Sequence, residues 1–278
     1  MFIFKSKEEL QKYLSDFRNR KTIGFTPTMG ALHDGHLHLI EQSNLKCDIS
    51  ICSIFVNPTQ FNNPNDLANY PNTLTVDLEM LEKVKCDVAY IPPVSDLYKK
   101  GEIAKSYDFG SLSNKLEGEF RPGHFNGMAT VIEKLVNIIN PTIAFFGQKD
   151  LQQLYIVKAL VKQMQSTTLI EGVDTVREKS GLAKSSRNKL LSSSAKEEAK
   201  LIYNCLNYCK KNKEKGVTEL KSYIQKRFLK KEKFTLEYVE FVALKTMLPI
   251  KDWEGLNKNA VCISAYHSGV RLIDNIIL

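Results

Sequence analysis

No stretch of this 278-residue chain approaches the roughly 20 apolar residues that span a bilayer, so no membrane helix is expected. The opening MFIFKSKEELQKYL turns charged at once and lacks the small-residue end of a secretory signal, which points to the cytoplasm. None of the six cysteines forms C-x-x-C or stands with histidines at zinc spacing, which argues against a metal knuckle or a disulfide frame. In surroundings such as SICSIFV and AVCISAY they read as buried thiols. Histidine is scarce, with five in all, and there are neither internal repeats nor low-complexity segments. What is present is ordinary for a globular protein: 43% hydrophobic and 25% charged residues, over a length that suits one large domain or two moderate ones.

The formal charge of +8 is local. Residues 179–233 hold 16 Lys/Arg against 5 Glu, so the remainder of the chain is slightly acidic. Lysine supplies 32 of the 39 basic residues, and few aromatics are interleaved with them. That composition reads as a solvated helical face, with nucleic-acid binding as the competing reading.

Along the first 175 residues, helical patterns alternate with short apolar strands. Ser6 and Glu9 form a capping box for a helix to about Arg20. TIGFT (22–26), DISICSIFV (48–56), DVAYI (87–91) and TIAFF (142–146) read as strands. Helices are expected after Gly35 and over 73–85, 129–140 and about 149–164. Such alternation implies right-handed crossovers and a mainly parallel sheet, whose ligands sit at the strands' carboxyl ends. Three polar loops fall at those ends: PTMGALHDGH after 22–26, NPTQFNNPND after 48–56 and GQKD after 142–146. Past about Val176 the texture becomes two helices, a strand and two β-like runs around Ser268-Gly269, a smaller α+β domain. The expected domains are therefore 1–175 and 176–278.

His33 and His36 lie three apart on a strand-to-helix turn, flanked by Gly30 and Gly35. A helix start offers unpaired N–H groups and a positive dipole end, which suit phosphate, and imidazoles there can stabilise charge developing on it. The alternatives are that the histidines merely cap the turn, or that H-x-x-H begins a zinc site. For the latter, Asp34 is the one nearby ligand type.

The stretch HDGH resembles the H-x-G-H signature of the nucleotidyltransferase superfamily. VNPTQF (56–61), LEGEFRPGHFNGMATVIEKL (116–135), FFGQKDLQQL (145–154), GLAKSSRN (181–188) and RLIDN (271–275) occur in the order seen in the pantothenate synthetase (pantoate–β-alanine ligase) family. The resemblance covers essentially the whole chain. It implies a Rossmann-like domain with a smaller α+β C-terminal lid, and ATP-dependent condensation of pantoate with β-alanine through a pantoyl adenylate. It also implies Mg²⁺ as cofactor and a homodimer in the cytoplasm, with no nucleic-acid or membrane partner.

The same resemblance implies roles residue by residue. His33 and His36 match the pair that contacts the ATP phosphates, with His36 as proton donor, and Met29 and Gly30 match backbone positions over the nucleotide. Gln60 matches a contact to pantoate and to β-alanine, and Gln153 the second pantoate amide. Gly147, Gln148, Lys149 and Asp150 match the nucleotide loop, with Lys149 as a catalytic point charge. Val176 matches a backbone contact to adenine. Lys184, Ser185, Ser186 and Arg187 match the flexible triphosphate loop, although the family often has Met or Leu at the place of Lys184. Asn72 stands where an arginine is common. Arg121 and His124 fall over the active site, as an anion contact or as a clamp on the loop. No metal ligand is assigned. A nucleotidyltransferase that only adenylylates a phosphate ester would explain the histidines and leave Gln60 and Gln153 without a purpose.

Overall fold

The computed structural model describes residues 1–18, 20–61, 67–255 and 258–278; of the polar loop at 57–66, residues 62–66 lie outside the described residues. The chain divides into two compact units. One comprises 1–109, 120–148 and 156–174, the other 110–119, 149–155 and 175–278.

The first unit is built on a six-stranded sheet of β1 (Phe2–Phe4), β2 (Ile23–Thr28), β3 (Ile49–Ile54), β4 (Val88–Tyr90), β5 (Ile143–Gly147) and β6 (Leu169–Val173). All pairings are parallel and the order is β1-β4-β3-β2-β5-β6. β3 is buried along its whole length, as a strand covered on both faces should be. Helices α1 (Lys7–Ser15), α2 (Asp34–Lys46), α3 (Leu74–Lys83) and α4 (His124–Ile139) flank it. Leu32, Ile40, Cys52, Ile54, Leu81, Cys86 and Ala89 form one core in which α2 and α3 cover β3 and β4. The chain leaves β2 toward β3 on one side and returns to β5 on the other, so the switch point for ligands lies beside the end of β2.

Two strands, β1 and β6, escaped the sequence reading. Both are sheet edges: β1 has three residues, two of them exposed, and β6 carries a glutamate and a glycine inside LIEGV. Neither shows the apolar run that marks a central strand.

The second unit centres on an antiparallel sheet of β7 (Phe234–Ala243), β8 (Asn259–His267) and β9 (Val270–Ile277). Helices α6 (Ser193–Lys211) and α7 (Gly216–Leu229) pack on one face, through Leu201, Ile202, Leu220, Ile224, Phe241, Ile263 and Leu272. Leu116 and Leu151, from the two short excursions of the chain, join Val242, Ala260 and Cys262 in a separate cluster. Helix α5 (Leu151–Gln163) thus begins in the second unit and continues in the first. Lysines of the basic stretch pair with acids, Lys221 with Glu240 and Lys233 with Glu198, as a solvated face does. Among the described residues, no helix is long and apolar enough to cross a membrane.

Candidate active site

The histidine turn is built by its neighbours. Gly30 has φ +78° and Ala31 φ +50°, the left-handed region that is costly for alanine. Asp77, buried on α3, accepts hydrogen bonds from the backbone N–H of Ala31 at 2.9 Å and of Leu32 at 2.8 Å, while Thr73 also donates to it. A side chain at Gly30 would press at 3.1 Å on both this carboxylate and Ile54. The strained turn is therefore held from below by one carboxylate.

Helix α2 begins at Asp34, ahead of the start expected after Gly35, because His33 is its N-cap. The Gly35 N–H donates to His33 Nδ1 at 3.1 Å. A nitrogen that accepts carries no proton, so the neutral ring carries its proton on Nε2. The His36 ring stacks on it with centroids 4.0 Å apart. Capping and catalysis are thus not exclusive, since one ring nitrogen serves the helix while the other carries a proton that can be donated.

After β3, Pro58–Gln60 forms a single 3-10 turn and Gln60 is buried. Asn57 Nδ2 donates to Gln60 Oε1 at 3.1 Å, and Gln60 Nε2 points to Met29 Sδ at 2.8 Å. Tyr98 donates to Asn57 Oδ1 at 2.8 Å, which fixes which end of the Asn57 amide meets Gln60. The Arg121 guanidinium can only donate, so His124 Nε2 accepts from it at 3.1 Å and His124 Nδ1–H donates to the Gln60 carbonyl at 3.0 Å. A Cβ at Gly127 would lie 2.1 Å from the Thr59 carbonyl oxygen, so only glycine lets α4 approach this turn. Gly147 ends β5 with nothing within 4 Å of an added Cβ, and Gln148 follows it in the first unit.

In the second unit, Lys149 Nζ lies 3.6 Å from Asp150, and the Lys149 carbonyl accepts from Asn275 Nδ2 at 2.8 Å. Gln153 is half-buried on the first turn of α5. Val176 and Lys184 face each other across a short hairpin, the Lys184 N–H donating to the Val176 carbonyl at 2.9 Å. Ser185 caps the one-turn helix Ser186–Leu190 by accepting from the Arg187 N–H. Asn188, buried, ties that turn to Glu178 and to the Ala183 carbonyl.

Each unit therefore assembles its own share of the expected residues. His33, His36, Met29, Gly30, Gln60, Gly147 and Gln148 belong to the first, and Lys149, Asp150, Gln153, Val176 and Lys184 to Arg187 belong to the second. Sequence reasoning missed Asp77, Tyr98 and Asn57; Asn57 lies inside a loop it had singled out, and the other two carried no local signal. Among the described residues, no group of three or more His, Cys, Asp or Glu could hold a metal ion. A cation here would rest chiefly on phosphate oxygens with one carboxylate, as Mg²⁺ on a nucleotide does, and Asp150 is a carboxylate beside the Lys149 ammonium.

A family model described as Pantoate-beta-alanine ligase matches residues 2–277. A protein of Flavobacterium psychrophilum described as pantothenate synthetase is 42% identical over 281 residues, covering all of both chains. The crystal structure of pantothenate synthetase from Thermus thermophilus aligns at a TM-score of 0.93 with 34% identity, over 100% of this chain and 99% of that one. The ligase from Francisella tularensis, complexed with beta-gamma ATP and beta-alanine, aligns at 0.82 with 37% identity, over 100% and 97%.

Proposed function

The chain belongs to the pantoate–β-alanine ligase family, and from that premise we propose how its residues divide the reaction. The reaction is ATP-dependent condensation of (R)-pantoate with β-alanine to pantothenate, AMP and pyrophosphate. The pantoate carboxylate attacks the α-phosphorus and pyrophosphate leaves. The amine of β-alanine then attacks the acyl carbon of the pantoyl adenylate, AMP leaves, and the amine gives up a proton.

His33 and His36 hold the phosphates at the start of α2, His36 donating a proton to the pyrophosphate oxygen as it leaves. The observation that supports the phosphate contact is the cap: His33 commits Nδ1 to the helix, which places its proton on Nε2, a donor suited to an anion, and His36 stacks on that ring. Met29 and Gly30 lie along the nucleotide with Gly147, Gln148, Lys149 and Asp150, and Val176 reads adenine through its backbone. Lys184, Ser185, Ser186 and Arg187 grip the triphosphate, where a guanidinium and hydroxyls suit bridging oxygens. Gln60 and Gln153 bind pantoate, and Gln60 also receives β-alanine. Arg121 and His124 act on Gln60 as a clamp. Mg²⁺ held with ATP would offset the charge of the triphosphate. Residues 1–175 serve as the nucleotide- and pantoate-binding domain, apart from the excursions 110–119 and 149–155 that pack with 176–278, and 176–278 serve as the lid, in a cytoplasmic homodimer. The lysine-rich stretch is solvated surface and binds no nucleic acid.

Assays of AMP and pyrophosphate release that omit each substrate in turn test this reading. Pyrophosphate release is expected with pantoate alone, and AMP release only when β-alanine is added. Robust turnover of an unrelated carboxylate overturns the substrate assignment. His36→Ala is expected to abolish single-turnover adenylation in a folded protein, and unchanged adenylation removes that role from His36.

A further inference from the structure

The block RLIDN (271–275) carries three polar side chains that the reaction as described does not use. Each is spent on a different segment of the second unit. Arg271 forks onto Glu117, with both bonds at 2.7 Å, and onto Glu237. Asp274, buried, takes the Arg177 fork, with bonds of 2.5 and 3.0 Å. Asn275, also buried, donates through Nδ2 to the Lys149 carbonyl.

Alternation along β9 sends Asp274 to one face of the sheet and Arg271 and Asn275 to the other. On the first face, Arg177 opens the hairpin that leads to 184–187. Its guanidinium lies over the Tyr203 ring and also donates to the Gly181 carbonyl. On the second face, Glu117 accepts from Tyr238, and its N–H donates to Gln152 Oε1, on the helix turn that follows Lys149. The Lys149 charge also acts on the Asp274 carboxyl. Two adjacent residues of one strand thus fix both phosphate-directed segments of this unit.

We propose that Asp274 and Asn275 are positioning residues for ATP: Asn275 sets Lys149 through its backbone, and Asp274 sets the 184–187 turn through Arg177. This rests on the assignment of Lys149 and 184–187 to ATP made above. Side chains a residue apart on a rigid strand hold two pieces of chain at a fixed spacing, which is what gripping one triphosphate from both demands.

Steady-state kinetics of Asn275→Ala, Lys149→Ala and the double variant test it, with thermal midpoints measured alongside. Asn275→Ala is expected to raise the ATP KM about tenfold, the loss of roughly one hydrogen bond to a positioned group, and to leave the pantoate KM within about twofold. In the Lys149→Ala background it should add nothing, because it acts through Lys149. If Asn275→Ala fails to fold, Asn275→Asp keeps the volume and sets an oxygen against the Lys149 carbonyl, with the same readout. Additive effects in the double variant overturn the inference, as does an ATP KM that Lys149→Ala moves and Asn275→Ala does not. Equal rises in both KM values with a lowered midpoint overturn it too, since they mark a purely structural role. An ATP KM unmoved by Lys149→Ala overturns instead the assignment of Lys149, and the inference falls with it.

Discussion

The polar network around Gln60 and the one around β9 do similar work with opposite materials. In the first unit, an asparagine amide, a tyrosine hydroxyl, a neutral imidazole and backbone carbonyls orient one glutamine, and the Arg121 guanidinium joins them only through that imidazole's Nε2. In the second, Arg271 with Glu117 and Glu237, and Arg177 with Asp274, join segments scattered from 117 to 274. Burial alone would lower the Arg271 pKa, but its hydrogen bonds to Glu117 and Glu237, which accept them, outweigh it and hold the guanidinium charged above its usual range. For Asp274 burial prevails, pushing the carboxyl up while Arg177 pulls it back. Neutral bonds set the direction of a side chain at little desolvation cost, whereas desolvated charges bind distant segments and become a liability once one partner is lost.

Removing one ion should therefore produce the largest effect. Arg271→Ala leaves buried Glu117 and half-buried Glu237 facing each other without their guanidinium, and denaturant unfolding is expected to show a loss of about 3–5 kcal/mol. A loss below about 1 kcal/mol would place this cluster with ordinary surface pairs and dissolve the contrast. Gly127→Ala comes next. Its methyl group would meet the Thr59 carbonyl oxygen at 2.1 Å, so α4 and the Gln60 turn must separate, at a cost of about 1–3 kcal/mol, with the pantoate KM rising more than the ATP KM. Full stability with unchanged kinetics would mean that the close approach is not needed. Tyr98→Phe is milder. It removes the donor that fixes the Asn57 amide, and about 1 kcal/mol is expected to be lost together with pantoate affinity. A shift in the ATP KM alone would break the assignment of this network to Gln60.

The contrast also explains what the sequence disclosed. The central strands announced themselves by buried apolar runs, and the three polar loops marked their carboxyl ends. Because β3, β2 and β5 are neighbours in the sheet, the loops after β2, β3 and β5 follow adjacent strands. His33 and His36 were legible because a Gly-flanked turn before a helix is a local pattern. Asp77 was not. It lies 46 residues from the Ala31 N–H it binds, inside a helix whose pattern reads as merely amphipathic. Tyr98 lies 41 residues from Asn57, and Arg271 is 154 from Glu117. Hydrogen bonds at such separations leave no period or spacing in a sequence. RLIDN was visible as a block, but only three-dimensional pairing gives its polar residues their partners.

The smallest expected effect is read with a thiol reagent, first in the unsubstituted protein. Cys52 and Cys86 lie in the core of the first unit, and Cys205, Cys209 and Cys262 in the second. Burial pushes Cys86 up to about 11 and Cys209 to about 12, and burial together with the Glu117 charge takes Cys262 to about 12. At about pH 8, a thiol near 11 is ionised roughly one part in a thousand, so native alkylation is expected to begin at half-buried Cys47. Mass spectrometry across mild denaturant should then report each unit separately through its own cysteines. Arg271→Ala is expected to expose Cys205, Cys209 and Cys262 at lower denaturant while Cys52 and Cys86 hold, and Gly127→Ala to do the reverse. Were both sets to move together in both variants, opening would be a single cooperative event. The neutral and charged networks would then be two parts of one support rather than two ways of building one.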